Sequence, residues 1–186
     1  MAYEVTCPLS VHSSGILARK WRGPLRDVHI GNVHSSRDLG GDAIDVSVSR
    51  VVFVLDEEIY VIAQNVDIGR KAEAFRLCML EKNEAHSMGI EVPNDGDGES
   101  IDISALKGKY IRPAVLTYKE CMQIELVPGK IERVDVYIDR GLLLVSHKGA
   151  SCLVEHHKEI PLNVSITTSA DRIYEALQRS VCIKFV

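Results

Sequence analysis

The feature that most constrains this chain is the alternation of apolar and polar side chains in its C-terminal half. Across 160–167 every second residue is apolar, which is the period of a strand that buries one of its two faces. Pro161 has no N–H for the ladder, so we expect this strand to begin there or to lie at a sheet edge. A second alternating run spans 132–138, and together the two runs favour sheet.

Turn signals recur around these runs at intervals of about ten residues. Pro128-Gly129 suits a type II turn, because proline fixes φ and glycine tolerates a positive φ. Asp139-Arg140-Gly141 and His147-Lys148-Gly149 predict two further turns. This rhythm is typical of antiparallel sheets, so we predict an all-β or β-dominated α+β fold, an antiparallel β-sandwich or barrel.

Other segments add strands to this prediction. Residues 43–55 and 58–66 predict two more strands, the first of them long, which an acidic corner at 56–58 joins. Residues 70–83 leave helix and strand open, and the surrounding sheet favours strand. The C-terminal run 181–186 predicts a last strand, and weaker candidates are 101–103 and 110–118, which Pro113 interrupts.

One helix is predicted in the C-terminal region. Ser169 can act as its N-cap, and Asp171 is favourable beside the positive end of the helix dipole. Ile173, Tyr174 and Leu177 would form its apolar stripe.

The chain length suits one domain with an arm. Of its 186 residues 46% are hydrophobic, which is enough for a sizeable core. The first forty residues are loop-like. We therefore predict a partly ordered N-terminal arm over 1–40 and a single β-rich domain over 41–186.

The sequence carries no sign of export or of a membrane span. The first ten residues contain Glu4 and neither a basic nor an apolar run, so we expect no signal peptide. No stretch reaches the roughly 20 apolar residues of a transmembrane helix. Five cysteines, an odd number without a C-x-x-C pair, predict free thiols in a reducing compartment. We expect an intracellular, cytoplasmic protein.

No sequence motif for catalysis or for a cofactor is complete. The acidic loop 94–99 fails as a calcium-binding EF-hand, because Ser100 and Leu106 occupy the positions that need glycine and glutamate. The patterns G-x-G-x-x-G, G-x-x-x-x-G-K-[ST] and G-x-S-x-G do not occur. We therefore predict no cofactor and expect no catalysis.

A weak candidate for a metal site is formed by Cys152, His156 and His157. Their C-x3-H-H spacing offers ligands that zinc accepts, but a structural zinc site needs four ligands and no second pair lies nearby. Cys152 also lies in an apolar run, where cysteine usually packs as a small hydrophobic residue. We predict no metal, and an enzyme whose cysteine and histidine groups meet only in the fold is a second alternative.

The most informative charged segment surrounds the single tryptophan. The candidate binding set is Arg19, Lys20, Trp21, Arg22 and Arg26. Its basic groups could neutralise phosphates while the indole stacks on a base or enters a lipid interface. The stretch 41–100 holds thirteen acidic side chains against five basic ones, so any contact with nucleic acid would be local. Alternatively, the indole packs in the core or against a neighbouring subunit.

We expect a non-catalytic structural or interaction protein that acts through self-association, as a homo-oligomer, or through a protein partner. Edge strands expose hydrogen-bonding groups that a neighbour can pair. In outline the chain resembles small viral coat or matrix proteins, in which an arm precedes a β-sandwich, but it shares no motif with them and lacks the densely basic arm of many coat proteins. The alternative is an accessory protein that binds nucleic acid, or a membrane surface, through the basic patch around Trp21.

Overall fold

The computed structural model describes residues 3–7, 21, 24–37, 43–55, 59–69, 72–81, 106–147, 151–157 and 159–185. Over these ranges the chain forms two antiparallel sheets in an open, sandwich-like arrangement, with one helix near the C-terminus. The prediction of a β-dominated sandwich with one C-terminal helix is confirmed.

The larger sheet contains eight strands among the described residues. Seven of them follow the order β12-β8-β9-β10-β11-β4-β3, each antiparallel to its neighbours, and β1 pairs in parallel with β9. Their bounds are β1 Tyr3–Cys7, β3 Val33–Ser36, β4 Asp45–Val48, β8 Ile111–Val127, β9 Lys130–Ser146, β10 Ser151–His156, β11 Val164–Thr167 and β12 Ser180–Phe185.

The smaller sheet contains four described strands in the order β2-β5-β6-β7. Their bounds are β2 Asp27–Ile30, β5 Arg50–Val54, β6 Ile59–Gly69 and β7 Ala72–Glu81. Of the segment predicted as strand over 70–83, the described residues 72–81 confirm the assignment, since β7 pairs with β6 along almost its whole length.

The main hydrophobic core lies between the two sheets. Phe53, Val61 and Leu77 of the smaller sheet meet Leu142 and Val154 of the larger sheet, and none of the five is more than 2% exposed. Branched aliphatic side chains pack closely on pleated surfaces, so the core follows from the alternation in the sequence.

The single strand predicted over 43–55 is wrong: this segment forms two strands that lie in different sheets. Ser49 separates β4 from β5, and the chain crosses there from the larger sheet to the smaller one. The neighbouring strands β2 and β3 cross at the same corner, where Gly31 N–H donates to the Arg50 carbonyl and Ser49 N–H to the Asn32 carbonyl. A Cβ on Gly31 would collide with the Ser49 hydroxyl, so a larger residue at this corner would force that side chain to rotate away.

The turn predicted at 139–141 is also wrong, because β9 continues through it as one strand of 17 residues. Leu116 pairs with Gly141 and Thr117 pairs with Asp139, which leaves Arg140 as the extra residue of a β-bulge. Bulges and turns share the same sequence signals, a polar residue beside a glycine.

The strand predicted over 160–167 is shorter and more buried than its pattern indicated. Only β11 is strand, and Pro161 and Leu162 form a turn ahead of it, with Leu162 at a φ of 60°. Since β11 lies between β10 and β4, it is not an edge strand, and all four of its residues are buried, the polar ones included.

Helix α1 spans Ala170–Arg179 and packs on the outer face of the larger sheet. Ser169 caps it as predicted, accepting a backbone N–H of the first turn at 3.4 Å. Ile173 and Ala176 are buried in a second apolar cluster with side chains of β8, β9 and β10. Tyr174 is 63% exposed, so its assignment to the apolar stripe was wrong.

The described part of residues 1–40 joins both sheets. β1 and β3 lie in the larger sheet and β2 lies in the smaller one. The division into an arm over 1–40 and a domain over 41–186 stays a prediction. The acidic loop 94–99 and the strand predicted at 101–103 lie outside the described residues.

Candidate functional site

An exposed strand at one edge of the larger sheet is the first candidate site. β12 pairs on one side with residues 114–118 of β8, and no described strand pairs with its other side. Residues 181–185 are exposed at every position, and the Arg112 guanidinium lies 4.5 Å from the centroid of the Phe185 ring.

One face of β12 is apolar. Ile183 and Phe185 lie two positions apart on the regular part of the strand and are 43% and 53% exposed, and Val181, which is 51% exposed, is the extra residue of a β-bulge against β8. The only charged side chain of the strand, Lys184, donates to the two carboxylate oxygens of Asp139 at 3.1 and 3.3 Å, so its charge is balanced within the sheet. Charged side chains and prolines usually protect an edge strand from pairing with another chain. β12 contains no proline, and its one charged side chain is paired with Asp139.

The opposite edge of the same sheet is different. β3 is four residues long and exposed throughout, and Val33, at 40% exposure, is its only apolar residue. A short polar strand is a poor template for a neighbour. Of the two ends of the strand order, only β12 therefore offers an apolar edge.

A polar cavity of about 220 Å³ is the second candidate site. β1 and β10 lie along the same side of β9, pairing with residues 134–138 and 141–145. Asp139 and the bulged Arg140 therefore lie in the gap between them. The cavity adjoins this gap and is lined by Tyr118, Lys119 and Glu120 of β8, Arg140 of β9, Glu155 and His156 of β10, and Arg179 of α1.

Two arginine–glutamate pairs cross this cavity. Arg140 Nη1 donates to Glu120 Oε1 at 2.5 Å, and Arg179 Nη2 donates to the two oxygens of Glu155 at 3.3 and 3.4 Å. The Tyr118 hydroxyl donates to Glu155 Oε2 at 3.0 Å. Burial, and then the negative charge of Glu155, raise the pKa of Tyr118 above its ordinary value, so its hydroxyl remains a neutral donor.

His156 connects the cavity to the smaller sheet. Its Nδ1 lies 2.6 Å from Asn65 Nδ2, which also donates to the Asn163 carbonyl. An amide N–H facing Nδ1 makes that nitrogen the acceptor, so the neutral imidazole carries its proton on Nε2. Burial, and then the positive charge of Arg140, lower the pKa of His156, although Glu73 opposes them.

The three weak metal candidates are not brought together. Cys152 and His156 are four positions apart on β10, which separates their Cα atoms by roughly 13 Å. His157 Nδ1 instead accepts the backbone N–H groups of Glu159 and Ile160 at 3.2 and 3.1 Å. Burial raises the pKa of the Cys152 thiol to about 12, so this cysteine is a core residue and a poor nucleophile.

The basic patch is described only at two of its five positions. Trp21 is 6% exposed, and its ring packs 5.7 Å from that of Phe53, so the observed arrangement is the alternative in which the indole lies in the core. Arg26 is exposed beside β2. Arg19, Lys20 and Arg22 lie outside the described residues, and their role in binding stays a prediction.

Sequence reasoning did not find the cavity. Its side chains come from four elements between positions 118 and 179, and the bulge that places Arg140 beside Glu120 was predicted as a turn. The available signal was the alternation that puts Tyr118 and Glu120 on one face of a strand.

Comparisons with protein-family models, with curated proteins and with solved structures find no match to this chain. Within the described ranges, no helix has the length and apolar character to cross a membrane.

Proposed function

We propose that this protein acts by self-association, and that β12 is the strand through which two copies pair. The observation that carries the proposal is an exposed apolar edge whose only charge is balanced by Asp139. Such an edge adds a strand from another sheet through main-chain hydrogen bonds, and its side chains select the partner. A structural role of the kind that coat and matrix proteins perform would use such a contact.

The sequence of β12 is complementary to itself in one antiparallel register. If the two-fold axis passes beside Ile183, each Ile183 faces its counterpart, and each Phe185 lies opposite the bulged Val181 of the second copy. Directly opposed side chains on one face are the pairs that stabilise an antiparallel sheet. Lys184 then faces Cys182 of the second copy, so the two lysines are not opposed. This self-complementarity favours a second copy as the partner.

The expected contact is weak. Three half-exposed apolar side chains in each copy contribute on the order of 1 kcal/mol each when buried, and each new backbone hydrogen bond adds about 1 kcal/mol. Loss of translational and rotational freedom costs at least about 4 kcal/mol. The remainder is a few kcal/mol, which corresponds to a dissociation constant between about a micromolar and a millimolar.

The substitution Ile183→Lys tests this contact. It would place two positive charges directly opposite each other across the two-fold axis, and like charges in that position are destabilising. Sedimentation equilibrium on the parent should show a monomer–dimer equilibrium in the range from about a micromolar to a millimolar, and the variant should remain monomeric there.

The matched control is Val33→Lys. Val33 has a similar exposure of 40% but lies at the opposite edge of the same sheet, so this variant should dimerise like the parent. A parent that is monomeric throughout, or an Ile183→Lys variant that dimerises normally, would contradict the proposal.

The register can be tested by cross-linking. Opposed residues of an antiparallel pair have Cα atoms about 4.5–5.5 Å apart, within the range of a disulfide. In a Cys121→Ser, Cys182→Ser background, Ile183→Cys should form a covalent dimer on oxidation. In the Cys121→Ser background alone, native Cys182 should not, because it faces Lys184. The reverse result would rule out the register centred on Ile183.

A further inference from the structure

Beyond self-association, we propose that the polar cavity binds a small zwitterion that carries a carboxylate and an ammonium group, of the size of an α-amino acid. The cavity volume of about 220 Å³ is below the roughly 300–1,000 Å³ typical of pockets for drug-sized ligands. A molecule of a few non-hydrogen atoms therefore fits it.

Arg140 supplies the anion-binding group. Only its Nη1 is used within the described residues, by Glu120, so Nε and Nη2 remain as a side-on pair of donors. Two parallel N–H groups of a guanidinium match the two oxygens of a carboxylate. His156 also lines the cavity, and its Nε2–H adds a neutral donor, since its Nδ1 is occupied by Asn65.

The charges of the cavity wall argue against a simple anion. Glu120 and Glu155 offset Arg140 and Arg179, and Lys119, the third cation of the wall, pairs with Asp135 at 2.8 Å. The wall therefore has no excess positive charge to hold a bare carboxylate. Glu120 bonds to Arg140 through Oε1 alone, which leaves Oε2 as an acceptor for an ammonium group. A ligand with both charges therefore satisfies Arg140 and Glu120 together, whereas an anion or a cation alone satisfies one of them.

Three molecules of similar size distinguish binding of a zwitterion from binding of an anion or of a cation: L-alanine, propionate and ethylammonium. Isothermal titration calorimetry on the full chain should show saturable binding of L-alanine, at least tenfold tighter than that of the other two. Arg140→Gln should weaken L-alanine binding by roughly tenfold or more, because it removes a charge-assisted hydrogen bond. Arg133→Gln, an exposed arginine outside the cavity, should leave it unchanged.

A second variant keeps the test decisive if Arg140→Gln fails to fold. Glu120→Gln preserves the side-chain volume but removes the ammonium site, so it should reduce the preference for L-alanine over propionate. The Ile183→Lys variant should bind L-alanine like the parent, since the cavity does not depend on the edge contact. Any one of three results would overturn the proposal. These are the absence of saturable L-alanine binding, an equal affinity for propionate, and a Glu120→Gln variant whose preference for L-alanine over propionate is unchanged.

Discussion

At the scale of single residues, Asn65 joins the two sheets. It lies on β6 of the smaller sheet and is buried, yet its amide contacts His156 at the end of β10 and the Asn163 carbonyl just before β11. Its Nδ2 thus reaches both partners, whereas its Oδ1 is buried without a partner among the described residues. The same contact sets the neutral tautomer of His156, so one side chain couples the packing of the sheets to the chemistry of the cavity.

The lowered pKa of His156 predicts a loss of stability in acid. The unfolded chain protonates this histidine below a pH of about 6.5, whereas the folded protein resists protonation until a lower pH, because burial and Arg140 disfavour the charged ring. The unfolded state therefore binds more protons in that window, and the free energy of unfolding falls as the pH decreases through it.

Urea denaturation at pH 7.5 and at pH 5.5 would measure this effect through the midpoint concentration. His156→Asn should lose part of the decrease that the parent shows between the two values. His147→Asn, at an exposed position outside the cavity, should keep all of it. An unaltered pH dependence in His156→Asn would mean that other groups account for the acid sensitivity.

At the scale of elements, local sequence signals predicted the position of a helix or strand more reliably than they predicted which strands lie beside it. The N-cap of α1 is local, because Ser169 and the N–H that it binds are three residues apart. The bulge at Arg140 and the crossing at Ser49 depend on which strands lie opposite, and nothing within those segments distinguishes a bulge from a turn or a crossing from a continuous strand.

Removal of the helix cap should have a small, measurable cost. Ser169→Ala leaves a first-turn N–H without its acceptor, which costs about 0.5–2 kcal/mol. For a chain of this length, each kcal/mol lowers the melting temperature by about 2–4 °C. Differential scanning calorimetry should show this decrease for Ser169→Ala and none for Ser36→Ala, at an exposed position of β3. Equal melting temperatures for the two variants would mean that the cap does not contribute.

At the scale of the whole molecule, salt distinguishes the two routes by which this chain could contact others. Pairing through β12 buries apolar surface, and sulfate strengthens such burial. Binding of nucleic acid through four basic side chains would weaken steeply as salt rises, since each neutralised phosphate releases counterions.

We therefore expect the dimer to be as stable or more stable when sodium sulfate is raised. Light scattering across protein and salt concentration would measure this. Complete dissociation at high salt would show that charges, and not the apolar edge, hold the copies together.

The sequence by itself determined the class of the fold, the hairpin at Pro128-Gly129, the cap of α1 and the last strand. Each of these depends on residues close together in the chain, through side-chain period, φ preference or a hydrogen bond within one turn. Only the tertiary structure decided that Trp21 is in the core, that β11 is buried on both faces, and that Asn65 meets His156 across 91 positions of the chain. Burial and long-range pairing depend on which sheet covers which, and the period of a strand carries no information about that partner.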